Sequence, residues 1–317
     1  MVDKSYKPVL GIMALYVASQ LTGLFLSYPF NAMNIHAFSN PSSMYNVVYY
    51  IILLLAVTGI MLLIGKTHLT ASIKYFMFLA LGMSDLFVIY FSLYYWYPFV
   101  INLPMLYYID VDLLVATIVT VVLITLLALY PEWYIINIVG FISASGMIAL
   151  LGVSFSILPA FILLSALAIY DAISVYKTKH MLRLAEITTD LKIPAMVVVP
   201  KTEDYSYIED NTKLSEKLES KEERESIFMG LGDIVIPGLI VVSSYAYLPS
   251  NEHFLYIGYN LWVALFTMLG SLIGMALLFH VGKSGNPQAG LPFLNGGALA
   301  AFLISMFVFY KSFVPML

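Results

Sequence analysis

Apolar residues run along this chain in blocks of membrane-crossing length, separated by short polar stretches. Strict alternation, the mark of a half-buried strand, and the narrow stripe of a surface helix are both rare. A hydrocarbon core of about 30 Å takes about twenty helical residues per crossing. On that ruler the sequence predicts nine spans: Pro8–Ser27, Val47–Ile64, Ile73–Trp96, Leu113–Tyr130, Tyr134–Gly152, Ile157–Tyr176, Ile227–Leu248, Phe254–Phe279 and Leu291–Lys311. The fold class expected is therefore an all-α polytopic membrane protein with nine transmembrane helices. The first block follows Lys4 and Lys7 but is long for a signal peptide and has no small-x-small cleavage site, so it reads as a retained span. We divide the chain into an N-terminal five-helix scaffold, 1–152, and a four-helix region, 153–317, carrying a cytoplasmic loop at 177–226, the whole forming one integral membrane unit.

Basic residues set the orientation, because positively charged loops stay in the cytoplasm. With the N-terminus cytoplasmic and the C-terminus outside, fourteen of the fifteen lysines and arginines fall inside and Lys311 alone falls outside. Nine of them lie in the 177–226 loop. That loop divides into an amphipathic stretch at Lys177–Leu191, a β-branched segment at Ile193–Pro200 that reads as extended, and a charged tract at Lys201–Ser226 expected to be mobile.

Composition agrees with the pattern: 61% of the residues are hydrophobic, 11% charged, and the mean hydropathy is +0.89. The chain has no cysteine, which removes thiolate nucleophiles, disulfides and Cys-based metal sites. None of the five histidines is followed by glutamate, so the His-Glu-x-x-His signature of membrane metalloproteases is missing, and no metal or other cofactor is expected. Gly282-Lys283-Ser284-Gly285 matches a serine-protease pattern but lies in a loop with no histidine after it, and reads as a turn. No basic footprint for nucleic acid is present.

Charges inside the apolar blocks are the candidate chemistry. A carboxyl group in hydrocarbon costs several kcal/mol and marks a functional site by default. Asp171 closes the run Ile162–Tyr170, and Asp233 follows Gly230-Leu231-Gly232. Their spans are antiparallel, and counting residues from the inner ends puts both about 8–9 Å below the cytoplasmic surface at 1.5 Å per residue. Two carboxyls that meet there share one proton. The ionised member can then activate water while the protonated member polarises a peptide carbonyl. A third aspartate, Asp85, in Gly82-Met83-Ser84-Asp85-Leu86, reads as structural, bonding Ser84, a helix carbonyl or a basic residue.

Two backbone elements accompany the pair. Gly230 and Gly232 let a substrate or a facing helix approach closely. Pro292 opens the last span within Gln288-Ala289-Gly290-Leu291-Pro292-Phe293-Leu294-Asn295, leaving rigid, irregular backbone near the aspartates. A transporter or channel would also carry intramembrane aspartates, and a prepilin-type peptidase would share Gly-x-Gly-Asp, so these readings stay open at the level of the letters.

Tyr170-Asp171, Gly230-Leu231-Gly232-Asp233 and Pro292-Phe293-Leu294 together resemble the presenilin and signal peptide peptidase family of intramembrane aspartyl proteases. The resemblance implies hydrolysis of peptide bonds within transmembrane helices, with Asp171 and Asp233 as the catalytic dyad and no cofactor. It assigns Tyr170, Gly230, Leu231, Gly232, Pro292, Phe293 and Leu294 to substrate binding or to shaping of the active site. Phe293 departs from the alanine usual in the family. Partners implied are transmembrane substrate proteins and the lipid bilayer, with a homo-oligomer left open. The compact chain looks like a microbial, archaeal-type homologue of a cell membrane. The resemblance also implies that substrate pairs with an enzyme strand, for which Ala195–Val199 and Ser226–Met229 are the candidates, and that the loop is a self-cleavage site.

Overall fold

The computed structural model describes residues 7–64, 70–96, 110–178, 195–202, 204–209, 225–282 and 288–311. Its helices are α1 (Lys7–Ala32), α2 (Tyr45–Ile64), α3 (Thr70–Trp96), α4 (Val111–Leu129), α5 (Trp133–Ser154), α6 (Ile157–Ile173), α7 (Leu231–Tyr247), α8 (Tyr259–Gly282) and α9 (Leu291–Tyr310). A π-helical turn, Ser174–Thr178, extends α6. Two antiparallel ribbons complete the elements: β1 (Met196–Pro200) with β2 (Ser226–Gly230), and the short pair β3 (His253–Phe254) with β4 (Ile257–Gly258). Among the described residues, eight helices are long and apolar enough to cross a membrane, counting the turn with α6; α7, with 17 residues, is shorter.

Helices α5 and α7 form the centre. α5 is buried along nearly its whole length, because Gly, Ala and Ser at 140, 143–146, 149, 152 and 154 let neighbours approach from several sides. At Gly152 a Cβ would overlap Val242 of α7, so this closest approach requires glycine. Helices α1, α3 and α4 pack against α5, and α1, α6, α8 and α9 against α7. The main core, from Ile12 and Tyr16 through Ile148 and Leu239 to Phe302, draws on both the 1–152 and the 153–317 regions. α2 is peripheral, with Asn46 and Val47 its buried residues. Aromatic clusters gather where α1 and α3 finish, with Phe25 stacked on Trp96 at 4.8 Å, and where α8 begins beside the end of α9, with Trp262 stacked on Phe309 at 6.3 Å. Such belts belong at a membrane–water boundary.

The structure departs from the sequence reading at the start of α7. The hydropathy ruler starts the seventh span at Ile227, whereas 226–230, which include the strand candidate Ser226–Met229, form β2, paired with β1 in the register Met196↔Gly230 to Pro200↔Ser226. The three valines at 197–199 favour extended backbone, and pairing satisfies peptide groups that would otherwise be orphaned among apolar side chains. Asp233 is therefore the third residue of its helix rather than more than a turn inside it. At the other end of the bundle, β3 and β4 occupy 253–258, where the eighth span was expected to have begun.

Part of the charged tract, at 204–209, differs from expectation. Tyr205 and Tyr207 are buried, packed on Met196, Val198 and Phe228. Glu132 accepts from Ser206 Oγ at 2.6 Å and from the Tyr207 N–H at 3.1 Å, and the Tyr205 hydroxyl accepts from Ser226 Oγ at 3.0 Å. Tyr205, Ser206 and Tyr207 are thus docked against the bundle, and residues 203 and 210–224 of the tract lie outside the described residues. The amphipathic stretch, apart from its first two residues, and the loop around Ser284 lie outside the described residues.

Candidate active site

Asp171 sits in the last turn of α6 and is 5% exposed. Asp233, in the first turn of α7, is half-buried. Both carboxyls converge on the backbone that opens α9. The Leu291 N–H donates to Asp171 Oδ2 at 3.0 Å, and the Gly290 N–H faces the same carboxyl group. A Cβ placed on Gly290 would stand 3.5 Å from all three atoms of the Asp233 carboxyl group. One glycine-leucine step thus touches both acids, and the partial positive charge of a helix N-terminus faces them. The two carboxyls also lie within electrostatic range of each other.

A seam of hydrogen bonds fixes this arrangement along α6 and α9. Beyond the end of α6, the Tyr176 hydroxyl donates to Gln288 Oε1 at 2.8 Å and accepts from the Ala289 N–H at 3.3 Å. A turn or more deeper, Asn295 Nδ2 donates to the Leu164 carbonyl at 2.9 Å. The Asp171–Leu291 bond lies between them. Behind α9, Gly274 of α8 takes the Phe293 carbonyl into the space a side chain would fill. Pro292 falls at the head of α9, where its missing N–H costs nothing.

The other residues singled out in the sequence spread around this centre. Gly230 is close, since a Cβ there would meet Asp233 Oδ2 at 3.6 Å. Gly232 is exposed with open space beside it, as suits a wall that a ligand approaches. Leu231 packs against the cluster around Val198 and Tyr207. Tyr170 turns toward Thr58 of α2. Leu294 is fully buried, and Pro292 and Phe293 are half-buried. Asp85 is buried on α3 and accepts from Ser143 Oγ of α5, so its partner is neither Ser84 nor a basic residue. Among the described residues no group of three or more His, Asp or Glu could hold a metal ion.

Sequence reasoning missed Asn137. Its side chain spans β1 at Val198: Nδ2 donates to the Val198 carbonyl at 2.7 Å, and Oδ1 accepts the Val198 N–H at 2.8 Å. The ladder explains why those groups are available. Leu231 N–H bonds Ala195 O and Lys201 N–H bonds Glu225 O, so the pairs 195/231 and 201/225 are hydrogen-bonded. By alternation, the peptide groups of 196, 198 and 200 on β1, and of 226, 228 and 230 on β2, point away from the partner strand. A lone asparagine in an apolar span was the available signal. Tyr16 and Gln20 of α1, both fully buried, were missed too.

Comparison with known proteins adds to this geometry. Residues 13–311 match the family model described as signal-peptide peptidase, presenilin aspartyl protease. Two solved structures, both titled as a presenilin family intramembrane aspartate protease, are similar over 95% of this chain. The one in space group C222 is 31% identical, covered over 99% of its length, with a TM-score of 0.66. The one in space group P2 is 32% identical, covered over 98%, with a TM-score of 0.63. No curated protein sequence gives a significant match.

Proposed function

Because the chain belongs to the signal-peptide peptidase and presenilin family of aspartyl proteases, and so is an intramembrane aspartyl protease, we propose that Asp171 and Asp233 are its catalytic dyad. The observation that carries this reading is the convergence of both carboxyls on the Gly290–Leu291 backbone.

In the reaction, one carboxylate takes a proton from water as the water oxygen bonds to the peptide carbonyl carbon. The other carboxyl gives its proton to the carbonyl oxygen, forming a tetrahedral diol. Collapse of the diol breaks the C–N bond: the leaving nitrogen takes a proton from the carboxyl that received one from water, and a diol hydroxyl returns a proton to the other carboxylate, restoring the dyad. No covalent enzyme adduct forms and no metal is used. Gly230, Gly232, Pro292, Phe293 and Leu294 shape the pocket directly, and Tyr170 and Leu231, which turn to α2 and to the Val198–Tyr207 cluster, shape it through packing.

Substrates are transmembrane segments of other proteins, presented with the N-terminus outside. An unwound substrate adds as a strand to the outward edge of β2, at Phe228 and Gly230, three residues before Asp233. The corresponding edge of β1 is taken at its middle by Asn137.

All nine helices of the described residues cross the membrane, α7 being completed by β2 at its cytoplasmic end, with the N-terminus inside and the C-terminus outside. The first five form the scaffold (1–152) and the last four the catalytic region (153–317). The setting is the cell membrane of a microbe. Purified protein in detergent, given a helical transmembrane substrate, should cleave it and should bind an aspartyl transition-state isostere more tightly than substrate. Cleavage that survives saturation with the isostere would overturn the dyad.

A further inference from the structure

A buried polar cluster lies between α1 and α8, within electrostatic range of Asp233. Tyr16 and Gln20 are one turn apart on the same face of α1, and Ser271 stands opposite on α8; all three are fully buried. The Tyr16 hydroxyl approaches Ser271 and the Gln20 amide without reaching hydrogen-bond geometry, and the Asp233 carboxyl is within electrostatic range of it.

Yet neither the Tyr16 hydroxyl nor either polar atom of the Gln20 amide has a hydrogen-bond partner among the described residues. Ser271 Oγ donates to the Met268 carbonyl at 2.7 Å, which leaves its lone pairs for an outside donor. The cluster therefore presents donors at Tyr16 and Gln20 Nε2, and acceptors at Gln20 Oε1 and Ser271 Oγ. Such a set is costly to keep dry in an apolar bundle. Water is the small molecule that takes two hydrogen bonds and gives two, matching this set of partners.

We propose that Tyr16, Gln20 and Ser271 form a water-holding site beside Asp233, from which the hydrolytic water reaches the dyad. The assignment rests on Asp233 being catalytic. Each cleavage consumes one water, and lipid on the far side of the helices supplies none, so a store next to the acid shortens the path of the reactant. The remaining orphaned side-chain atoms do not form such a set: Ser84, Asp85 and Thr120 lie on α3 and α4, and Asn295 Oδ1 is a single acceptor on α9.

Radical labelling of the full chain in nanodiscs, with hydroxyl radicals generated by X-rays in ¹⁸O-water, tests the site directly, because labelling requires water beside the side chain. Tyr16 should take up ¹⁸O despite its burial, and Gln20→Leu should remove the label. The same variant should lower kcat about tenfold with KM nearly unchanged, as the loss of an ordered water's partners would. Should Gln20→Leu fail to fold, Ser271→Ala carries the kinetic arm, and the wild-type label stands by itself. An unlabelled Tyr16 in the wild-type protein overturns the proposal, as does a labelled Tyr16 combined with wild-type kcat in a folded variant. Activity in Asp233→Asn would instead defeat the dyad assignment, whatever the labelling shows.

Discussion

Asn137 gives Val198 the two hydrogen bonds that a third strand would give it, one through each polar atom of its amide. The side chain imitates a peptide unit and occupies the middle of β1's outer edge, so a substrate strand of the kind proposed would have to add at β2. This couples a residue in the buried centre of the bundle to the strand that leads into Asp233.

Asn137→Leu should leave the Val198 N–H and carbonyl unpaired in a buried setting, at about 1–3 kcal/mol for each group. The unfolding midpoint in detergent should fall, and cleavage with it. An unchanged midpoint would mean that β1 does not depend on this contact.

Phe228→Pro should behave differently. The Phe228 N–H points away from β1, so proline there removes a donor from the free edge and none from the ladder. Thermal stability should stay near that of the wild type, while kcat/KM falls about tenfold, the loss of one hydrogen bond to the substrate backbone. Wild-type kcat/KM in this variant would rule out strand addition at β2.

Asp171→Asn and Asp233→Asn should each lower the cleavage rate by about 10²–10⁴-fold, the range for loss of a general acid or base. Asparagine keeps the size of the side chain and its acceptor oxygen, so Asp171→Asn can still receive the Leu291 N–H and should fold. Rates are read by appearance of cleaved substrate, and folding by gel filtration. A folded variant with wild-type turnover would remove that residue from the chemistry.

Gly274→Ala should act at a distance. The added methyl overlaps the Phe293 carbonyl, forcing α9 away from α8 at a cost of about 1–3 kcal/mol. Leu291, two residues earlier, moves with it, so activity should drop although position 274 touches neither aspartate. Gly296→Ala, where a side chain meets open space, is the control and should be neutral.

Much of this architecture was legible because lipid imposes one rule, long apolar helices, and polar exceptions stand out against it. Asp171 and Asp233 could be read as a pair from the antiparallel order of their spans, and Ala195–Val199 as extended from its valines. What stayed hidden depends on partners far apart in sequence. A hydropathy ruler reads Ile227–Met229 as the start of a helix, and these residues become a strand because β1 is there to pair with them. Asn137, Tyr176 and Gln20 gave weak signals, since single polar residues in spans often bond their own helix, as Ser19 does with the Leu15 carbonyl. Tyr205 and Tyr207 were lost in a charged context that outweighed them.

The β1–β2 register has a consequence for how such a chain can vary in length. Side chains alternate between the two faces of a strand, so one residue deleted or inserted within β2 turns the residues on one side of the change to the opposite face, and one at 231–232 rotates the acid by about 100° around its helix. Gaps between related sequences should therefore avoid the stretch from Ser226 to Asp233.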